Sequence, residues 1–580
     1  MASARVYGFG PYRLDVEGRI LFRDGERVGL PPKESELLVA LVNARGRVLT
    51  KETLLQQLWP RAVVEEGSLS SHISILRKAL GGRANEQRYI ETVPKRGYRF
   101  AAEVVLEIPS DWPAGGTERA MLVVLPFESL GTGERYDYFS EGLTEEMITE
   151  LARMSPERLG VIARTSAMQF RSTSKGIRQI GLELGVSHAL EGSVRRAEGR
   201  VRITAQLIRV SDESHLWAES YERGFHDVLA VQAEVARAVA REVRITLTPT
   251  EKRRLDRSSV RSVNPQAHEL YLRGRHFWYR RTEESMRKSL ECFEESLRLD
   301  PGLAAAHDGI CDAHTMLACR GMAAAVESFH KAKAAAREAI RMDPELGEGY
   351  ASLAHVRLHD WDWVGLENEF EQAVERNPGY AIAHYWYAEY LMAMGRTEQA
   401  VARVQHAWGL DPLNSVINAS VGMIRYLAHD YDGALAALRR GLEIDPTHHV
   451  SHLRVGLACL QKGLVREGIA AMQRAVELSG GSTEALAGLA QAHAVCGDRA
   501  GMETVVQQLV ASSDRYVSPY NVARAFGAAG DGQRALEWLE RAYQEHNPDL
   551  IELTREPSFR SLWSQEKFRQ LARRVGWSAF

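Results

Sequence analysis

Hydroxyl and cationic side chains are concentrated in one short stretch of the chain, residues 68–100. At its start, four leucine or isoleucine residues recur at positions i, i + 4, i + 7 and i + 11, which is the spacing of one face of a helix. The positions between them carry hydroxyls first and cations near the C-terminal end. These off-face residues are Ser70, Ser71, His72, Ser74, Arg77 and Lys78. Such side chains donate to phosphate oxygens and base edges, so the pattern predicts a helix that reads DNA in the major groove.

A hairpin with a basic tip is predicted directly after this helix. Strand-forming residues lie on both sides of Pro94-Lys95-Arg96-Gly97, and its candidate DNA contacts are Thr92, Lys95 and Arg96. An ordinary surface helix or hairpin would have either pattern alone. Residues 68–100, however, contain seven Lys or Arg and two Glu, and this excess of positive charge favours phosphate binding.

The preceding residues predict the elements that hold this helix and hairpin in place. Alternating apolar residues between 12 and 30, with Asp24-Gly25 as a turn, predict a small antiparallel sheet. Two amphipathic helices then follow, at about 37–42 and 50–58, the second ending at Trp59-Pro60. A loop, residues 60–67, leads into the candidate reading helix.

Together these residues resemble the winged-helix DNA-binding domain of the response-regulator (OmpR/PhoB-like) type. The resemblance covers about residues 4–105 and rests on a core run and a wing run, Leu69, His72, Ile73, Leu76, Arg77, Lys78 and Leu80, then Thr92-Val93 and Gly97-Tyr98-Arg99-Phe100. It implies that the third helix enters the major groove and that the wing touches the adjacent minor groove. It also implies that the loop before the third helix contacts RNA polymerase through Val63, Val64, Glu65 and Glu66. Pro94 replaces an arginine common in that family, so wing readout is expected to shift to Lys95 and Arg96.

Charge and composition separate residues 1–106 from the rest of the chain. Residues 1–106 carry 17 Lys or Arg and 12 Asp or Glu, a net charge of +5, whereas the whole 580-residue chain has −3. The remaining residues therefore carry −8, which suits a different kind of partner. Five cysteines without CxxC spacing favour buried thiols in a reducing compartment, and no apolar run is long enough to span a bilayer. We therefore expect a cytoplasmic protein that has no membrane partner.

The middle of the chain predicts an α/β domain with a mixed sheet at residues 120–247, after a Pro- and Gly-containing linker at 107–119. Segments such as Val-Ile-Ala-Arg-Thr-Ser (161–166) and Leu-Glu-Gly-Ser-Val-Arg-Arg (190–196) resemble the TolB-like amino-terminal domain. That family is found beside tetratricopeptide repeats in bacterial regulators and in some adenylate cyclases, and it implies no single ligand. A second linker is expected at 248–263.

Residues 264–580 are predicted to form an all-α superhelix of about eight tetratricopeptide repeats, two of them degenerate. Asp-Pro or Asn-Pro dipeptides punctuate this region, and three successive gaps between residues 343 and 445 are each 34 residues long. Such an array presents a concave surface to a peptide or protein partner, and it could also form a homodimer.

No catalytic motif emerges from the sequence. It contains no GxxxxGK[ST] loop, HExxH or GxSxG, and the pairs Glu145-Glu146 and Glu283-Glu284 are expected to be solvated helix faces. We therefore expect no cofactor, no metal and no enzyme activity. The favoured function is a soluble sequence-specific transcription regulator in which the signal enters through the α/β domain and the repeats. The alternative is a signalling scaffold or nucleotide-sensing protein centred on the α/β domain.

Overall fold

The fold is described from a computed structural model. It covers residues 6–15, 20–23, 26–44, 46, 48–58, 66–81, 89–94, 96–102, 105–107, 120–130, 134–197, 200–224, 228–245, 247–249, 251–253, 264–511 and 516–577. The chain forms two compact units, Met1–Glu118 and Arg119–Phe580. Each is described by itself below.

The first unit contains two antiparallel sheets and three helices. One sheet has the order β4-β3-β2-β1-β8, and the other has the order β5-β7-β6. In chain order the elements are β1 (Val6–Phe9), β2 (Tyr12–Asp15), β3 (Ile20–Arg23), β4 (Glu26–Val28), α1 (Pro32–Asn43), β5 (Leu49–Thr50), α2 (Lys51–Leu58), α3 (Glu66–Ala79), β6 (Ile90–Val93), β7 (Gly97–Phe100) and β8 (Val105–Glu107). Strand β8 pairs with β1 and extends one residue beyond the expected domain boundary at 106.

The periodic apolar residues of the reading helix lie in the core of this unit, as predicted. Leu69, Ile73, Leu76 and Leu80 are each at most 2% exposed. Burying one such side chain contributes about 1.5–3 kcal/mol, so this face fixes the orientation of α3. The helix begins two residues before the predicted Ser68, and Gly81, with φ +76°, follows its end.

The second unit begins with a mixed sheet that has helices packed on it. The sheet order is β11-β9-β12-β13-β14, with β10 beside β12; β9, β11 and β12 run parallel, and β12 to β14 run antiparallel. Its elements are β9 (Ala120–Val124), β10 (Glu128–Ser129), α4 (Glu134–Met154), β11 (Leu159–Val161), α5 (Arg164–Met168), α6 (Ile177–Leu184), β12 (His188–Ala197), β13 (Arg200–Arg209), β14 (Ser214–Gly224) and α7 (Val228–Glu242). The mixed sheet agrees with the expected class, while the TolB-like resemblance of this region stays a prediction.

Eight consecutive helix pairs follow within the described residues 264–511 and 516–577. They are α8 (Pro265–Tyr279) with α9 (Glu283–Leu299), α10 (Ala304–Cys319) with α11 (Ala325–Met342), α12 (Gly347–His359) with α13 (Leu366–Arg376), α14 (Ala381–Ala393) with α15 (Thr397–Leu410), α16 (Ser415–Leu427) with α17 (Tyr431–Ile444), α18 (His449–Gln461) with α19 (Val465–Leu478), α20 (Thr483–Val495) with α21 (Arg499–Ala511), and α22 (Pro519–Ala528) with α23 (Gly532–Gln544). Two 3₁₀ helices, Pro548–Glu552 and Pro557–Leu562, and a last helix, α24 (Glu566–Val575), complete the chain.

Small residues let the paired helices approach each other closely. Ala388, Ala400 and Ala407 are fully buried, and a Cβ added to Gly422 would lie 2.4 Å from Leu438 Cγ. Asp300, Asp343 and Asp445 each follow the second helix of a pair, where the next residue, proline, cannot continue the helix. The gap from Asp300 to Asp343 is nine residues longer than the 34-residue period, which predicts an insertion near 319–326. Most of these residues lengthen α10 and α11, which have 16 and 18 residues where α14 and α15 have 13 and 14.

Buried ion pairs join the sheet region to the helix pairs. Glu145 on α4 accepts hydrogen bonds from Arg275 Nη2 (2.8 Å) and Tyr279 (2.9 Å) on α8, and Glu146 Oε1 lies 2.5 Å from His268 Nε2. The expectation that Glu145-Glu146 forms a solvated face was therefore wrong. Sequence spacing could not show that α8 packs across α4. The pair Glu283-Glu284 is exposed as expected and bonds to cations one turn along its own helix.

A second contact across the same interface centres on a buried aspartate. Asp411, at the end of α15, accepts hydrogen bonds from the backbone and the hydroxyl of Ser166 at 2.8 and 2.6 Å. The backbone N–H of Ala163 also donates to Leu410 O. Sheet region and helix pairs thus share buried polar contacts as one compact unit.

No helix in the described part of the chain combines the length and apolar character that a bilayer crossing requires.

Replacing Glu145 by Ala is expected to destabilise the second unit by about 3 kcal/mol, because it leaves the buried Arg275 guanidinium without its main partner. Nine of the eleven tryptophans lie after residue 118, so urea unfolding followed by tryptophan fluorescence reports on this unit. Glu283→Ala is the matched control and should leave the transition nearly unchanged, since its ion pair is solvent-exposed. Equal effects of the two substitutions would contradict the buried interface.

Candidate nucleic-acid interface

One flank of α3 is fastened to the hairpin formed by β6 and β7. Arg77 donates from Nε and Nη2 to Ile90 O at 3.1 and 2.9 Å, and from Nη2 to Thr92 Oγ1 at 2.7 Å. Two turns earlier on α3, Ser70 Oγ lies 3.3 Å from the hydroxyl of Tyr98 on β7. Burial lowers the pKa of Arg77, which nonetheless stays protonated at neutral pH. Arg77 and Thr92, both predicted as DNA contacts, are thus brought together, and in this structure they bond to each other.

The opposite flank of α3 faces α1. His72 Nδ1 lies 2.8 Å from Oε1 of Glu34, a carboxylate that is only 2% exposed in the first turn of α1. This contact turns His72 toward the domain interior. His72 therefore helps to orient α3 on α1. It also lies near the exposed surface of that helix.

The outer stripe of α3, which we define as Ser71, Ser74, Ile75 and Lys78, lies opposite the buried face. Ser71 and Lys78 are exposed, Ser74 is partly exposed, and 42% of Ile75 is exposed. Ile75 was not among the predicted contacts. Its position one turn after Ser71 and one before Lys78 could have revealed it from the sequence.

The hairpin tip carries the remaining predicted cations. Arg96 is exposed, and its backbone N–H donates to Val93 O at 3.0 Å to close the turn. A Cβ added to Gly97 would lie 1.9 Å from Leu49 O, so the approach of β5 to β7 requires glycine there. Lys95 lies outside the described residues, as do Val63, Val64 and Glu65 of the predicted polymerase loop. Glu66 is the first residue of α3.

Chemically, this surface matches what duplex DNA presents in its major groove. Serine hydroxyls hydrogen-bond to base edges or phosphates, a lysine ammonium neutralises phosphate, and an apolar side chain contacts the methyl group of thymine. The stripe thus offers each of these contacts from one rigid helix.

A separate cavity lies among the helix pairs of the second unit. It is a narrow cleft of about 20 Å³, room for about one water molecule, between the first helices of three consecutive pairs and the residues after 550. Burial raises the pKa of Glu389 to about 7, and burial together with the charge of Asp549 raises that of Glu552 to about 8. The polar residues that line it are Tyr385, Glu389, Ser420, Arg454, Glu552 and Arg555.

Two family models match parts of the chain. Residues 25–100 match the family described as "Transcriptional regulatory protein, C terminal", and residues 367–421 match a tetratricopeptide repeat. The chain therefore carries a winged-helix DNA-binding domain of the OmpR/PhoB type near its N-terminus and tetratricopeptide repeats in its helical region. Both agree with the resemblances inferred from the sequence.

Several known proteins are similar to the chain. Transcriptional regulator HilA of Salmonella typhi is 26% identical over 449 residues, 77% of this chain and 77% of HilA. Putative adenylate cyclase 3 of Rhizobium meliloti (strain 1021) is 35% identical over 281 residues, 48% of this chain and 46% of that protein. The chain thus spans less than half of this relative. The solved DNA-binding domain of Escherichia coli CadC is 31% identical, covering 18% of this chain and 100% of that one, with a TM-score of 0.17.

Replacing Lys78 by Ala is expected to weaken DNA binding and to lower the slope of log K against log salt by about 0.9, the share of one neutralised phosphate. Fluorescence anisotropy of a labelled duplex at several salt concentrations measures both quantities. Arg13→Ala is the control, because Arg13 alternates with the buried Tyr12 and Leu14 and so points away from the core on the β1–β4 sheet. An unchanged slope for Lys78→Ala would remove this helix as the DNA reader.

Proposed function

We propose that the chain is a sequence-specific DNA-binding transcriptional regulator that reads a promoter with α3 and the hairpin of its first unit. The observation that carries this function is the outer stripe of α3, which is exposed while both flanks of the helix are tied to the domain. The match of residues 25–100 to a transcriptional regulatory family and the similarity to a transcriptional regulator over 77% of the chain support it. A regulator of chromosomal genes would work in the bacterial cytoplasm.

Within this proposal the predicted contact residues have two kinds of role. Ser71, Ser74 and Lys78, joined by Ile75, would touch DNA from the outer stripe, while Lys95 and Arg96 would reach the flanking minor groove. Arg77, Ser70, Thr92 and His72 would mainly set the angle between helix, hairpin and α1. Their remaining donor capacity could still serve a phosphate.

Ile75→Ala is expected to change which bases are preferred at one position of the site, because the apolar contact to a thymine methyl is lost. The best site should lose about 1–2 kcal/mol of binding free energy, the scale of one mismatched base pair. Selection of bound sequences from a random pool, using the full-length chain, gives the preference directly. Val416→Ala, a similarly exposed apolar residue of the second unit, is the control. Identical preferences for wild type and Ile75→Ala would exclude base reading by this residue.

We further propose that the segment before α3 contacts RNA polymerase. Replacing Val63, Val64, Glu65 and Glu66 together by Ala should abolish transcription activation while promoter affinity stays within about twofold, since three of them precede α3 and Glu66 is its first residue, before the proposed DNA contacts. Transcription in vitro with purified polymerase, run beside a footprint on the same promoter, measures both. A parallel loss of binding and activation would give this segment a structural role only.

The same transcription assay tests whether the helix pairs receive the regulatory signal. Tetratricopeptide repeats are protein-interaction modules, and we assign signal input from a peptide or protein partner, or from a second copy of the chain, to this array. Activation that needs a second purified protein would support a partner, whereas activation that rises steeply with chain concentration would support a homodimer. Full activation by the chain at low concentration, alone with polymerase, would contradict both.

A further inference from the structure

Two histidines and a glutamate converge among the helix pairs of the second unit, whereas the residues assigned to DNA belong to the first unit. His355 and His359 lie one turn apart on α12, and Glu389 reaches them from α14 in the next pair. Their ligand-type atoms all lie within 4.8 Å of one another. The two Nε2 atoms are 3.2 Å apart.

The separation of the two Nε2 atoms fits a shared metal ion. Two nitrogens bound to zinc at about 2.0–2.1 Å and at a tetrahedral angle stand about 3.3 Å apart. The imidazole rings are nearly perpendicular, at 89°, with centroids 4.7 Å apart.

Contacts around these residues hold them in a ligating orientation. His359 Nδ1 lies 3.4 Å from Pro548 O, and a proton donated there leaves the Nε2 lone pair facing His355. Metal-bound histidines usually make this kind of bond to a carbonyl. The His355 ring stacks on Trp386 with centroids 3.9 Å apart and 10° between planes, which fixes its direction.

The glutamate supplies the third donor. Its Oε1 accepts a hydrogen bond from Tyr385 at 2.9 Å, while Oε2 is shielded from solvent and has no hydrogen-bond partner among the described residues. A buried carboxylate oxygen without a partner is costly, and a cation removes that cost. A simple hydrogen bond between the two histidines would leave this oxygen unsatisfied.

We propose that His355, His359 and Glu389 form a binding site for a divalent late transition metal, with zinc the ion that best suits two imidazoles and one carboxylate. The three ligands leave a fourth position for water, and Glu389 also lines the adjoining water-sized cavity. Through Pro548, the site also touches the 3₁₀ segment that follows the last helix pair.

The test uses the full-length chain, stripped of metal and kept in a reductant that binds zinc weakly. Competition with a chromophoric chelator measures the Zn²⁺ affinity and stoichiometry, and Co²⁺ substitution gives an absorption spectrum that reports the coordination geometry. We expect one tight Zn²⁺ per chain, an intense visible Co²⁺ band typical of a tetrahedral site, and a higher thermal unfolding temperature with the metal bound.

Three variants decide the assignment. His359→Ala should weaken Zn²⁺ binding by more than about 100-fold, since loss of a ligand costs more than loss of an outer partner. Glu389→Gln keeps the shape of the side chain and should weaken binding by at least about 10-fold and alter the Co²⁺ spectrum. The control replaces His307 and His452 by Asn; each is the fourth residue of the first helix in another pair and bonds to the carbonyl of a proline six residues earlier.

The outcomes separate cleanly. Loss of the tight site in His359→Ala and Glu389→Gln but not in the control supports the proposal. A wild-type chain that binds no Zn²⁺ more tightly than micromolar overturns it, as do variants that bind like the wild type. If His359→Ala does not fold, judged by circular dichroism, Glu389→Gln alone decides by the same criteria. None of these measurements uses DNA affinity, so a failure of the metal-site proposal would not contradict the proposed regulatory function.

Discussion

The guanidinium of Arg77 fixes the geometry on which DNA reading depends. Its three hydrogen bonds join the C-terminal half of α3 to the first strand of the hairpin, across 13 to 15 residues of sequence. In the proposed DNA-binding mode, a helix and a hairpin held at one angle would present their contacts to two grooves without ordering cost at the moment of binding. A lysine could not replace it, because only a planar guanidinium donates in several fixed directions to a carbonyl and a hydroxyl together.

Buried charge plays the corresponding role in the second unit. Burial alone would raise the pKa of Glu145, but the charges of Arg275 and Arg164 outweigh burial and bring this pKa below its ordinary value. The charge of Glu145 in turn raises the pKa of Arg275. Each partner thus keeps the other ionised out of water. The contribution of Glu145 to stability is complete above the ordinary glutamate pKa of 4.5 and declines as pH falls below it, because the folded pKa is the lower one. Since the ion pairs bridge α4 and α8, sheet region and helix pairs resist separation as two independent domains.

Local spacing predicted α3 and its buried face. The hydrogen-bond partners of long side chains could be identified only from the structure. Leu69, Ile73, Leu76 and Leu80 are buried because helical periodicity alone determines their side. Arg77 was predicted to contact DNA because its charge and off-core position allow that. Its bonds to Ile90 and Thr92 arise from a pairing that spacing does not encode.

The same limit explains the misassigned acids. Glu145-Glu146 and Glu283-Glu284 have the same local pattern, and only the packing of α8 on α4 makes the first pair buried. The 34-residue period, by contrast, could be read directly, because an Asp-Pro or Asn-Pro dipeptide follows six of the eight helix pairs and proline cannot continue the helix.

The chain's own C-terminal residues complete the helical array, and this restricts how a partner can use it. Trp363 Nε1 donates to Val575 O at 2.7 Å, and Trp577 Nε1 donates to Ala393 O at 3.1 Å, contacts that span 212 and 184 residues of sequence. Trp361 stacks on His546 with centroids 3.9 Å apart. Repeat arrays need a terminal element that covers the last exposed apolar face. Here Phe559 and Phe568 are fully buried, so that element belongs to the core. Because its residues after 550 lie beside the first helices of earlier pairs, this chain itself covers part of the surface that open arrays offer to a partner.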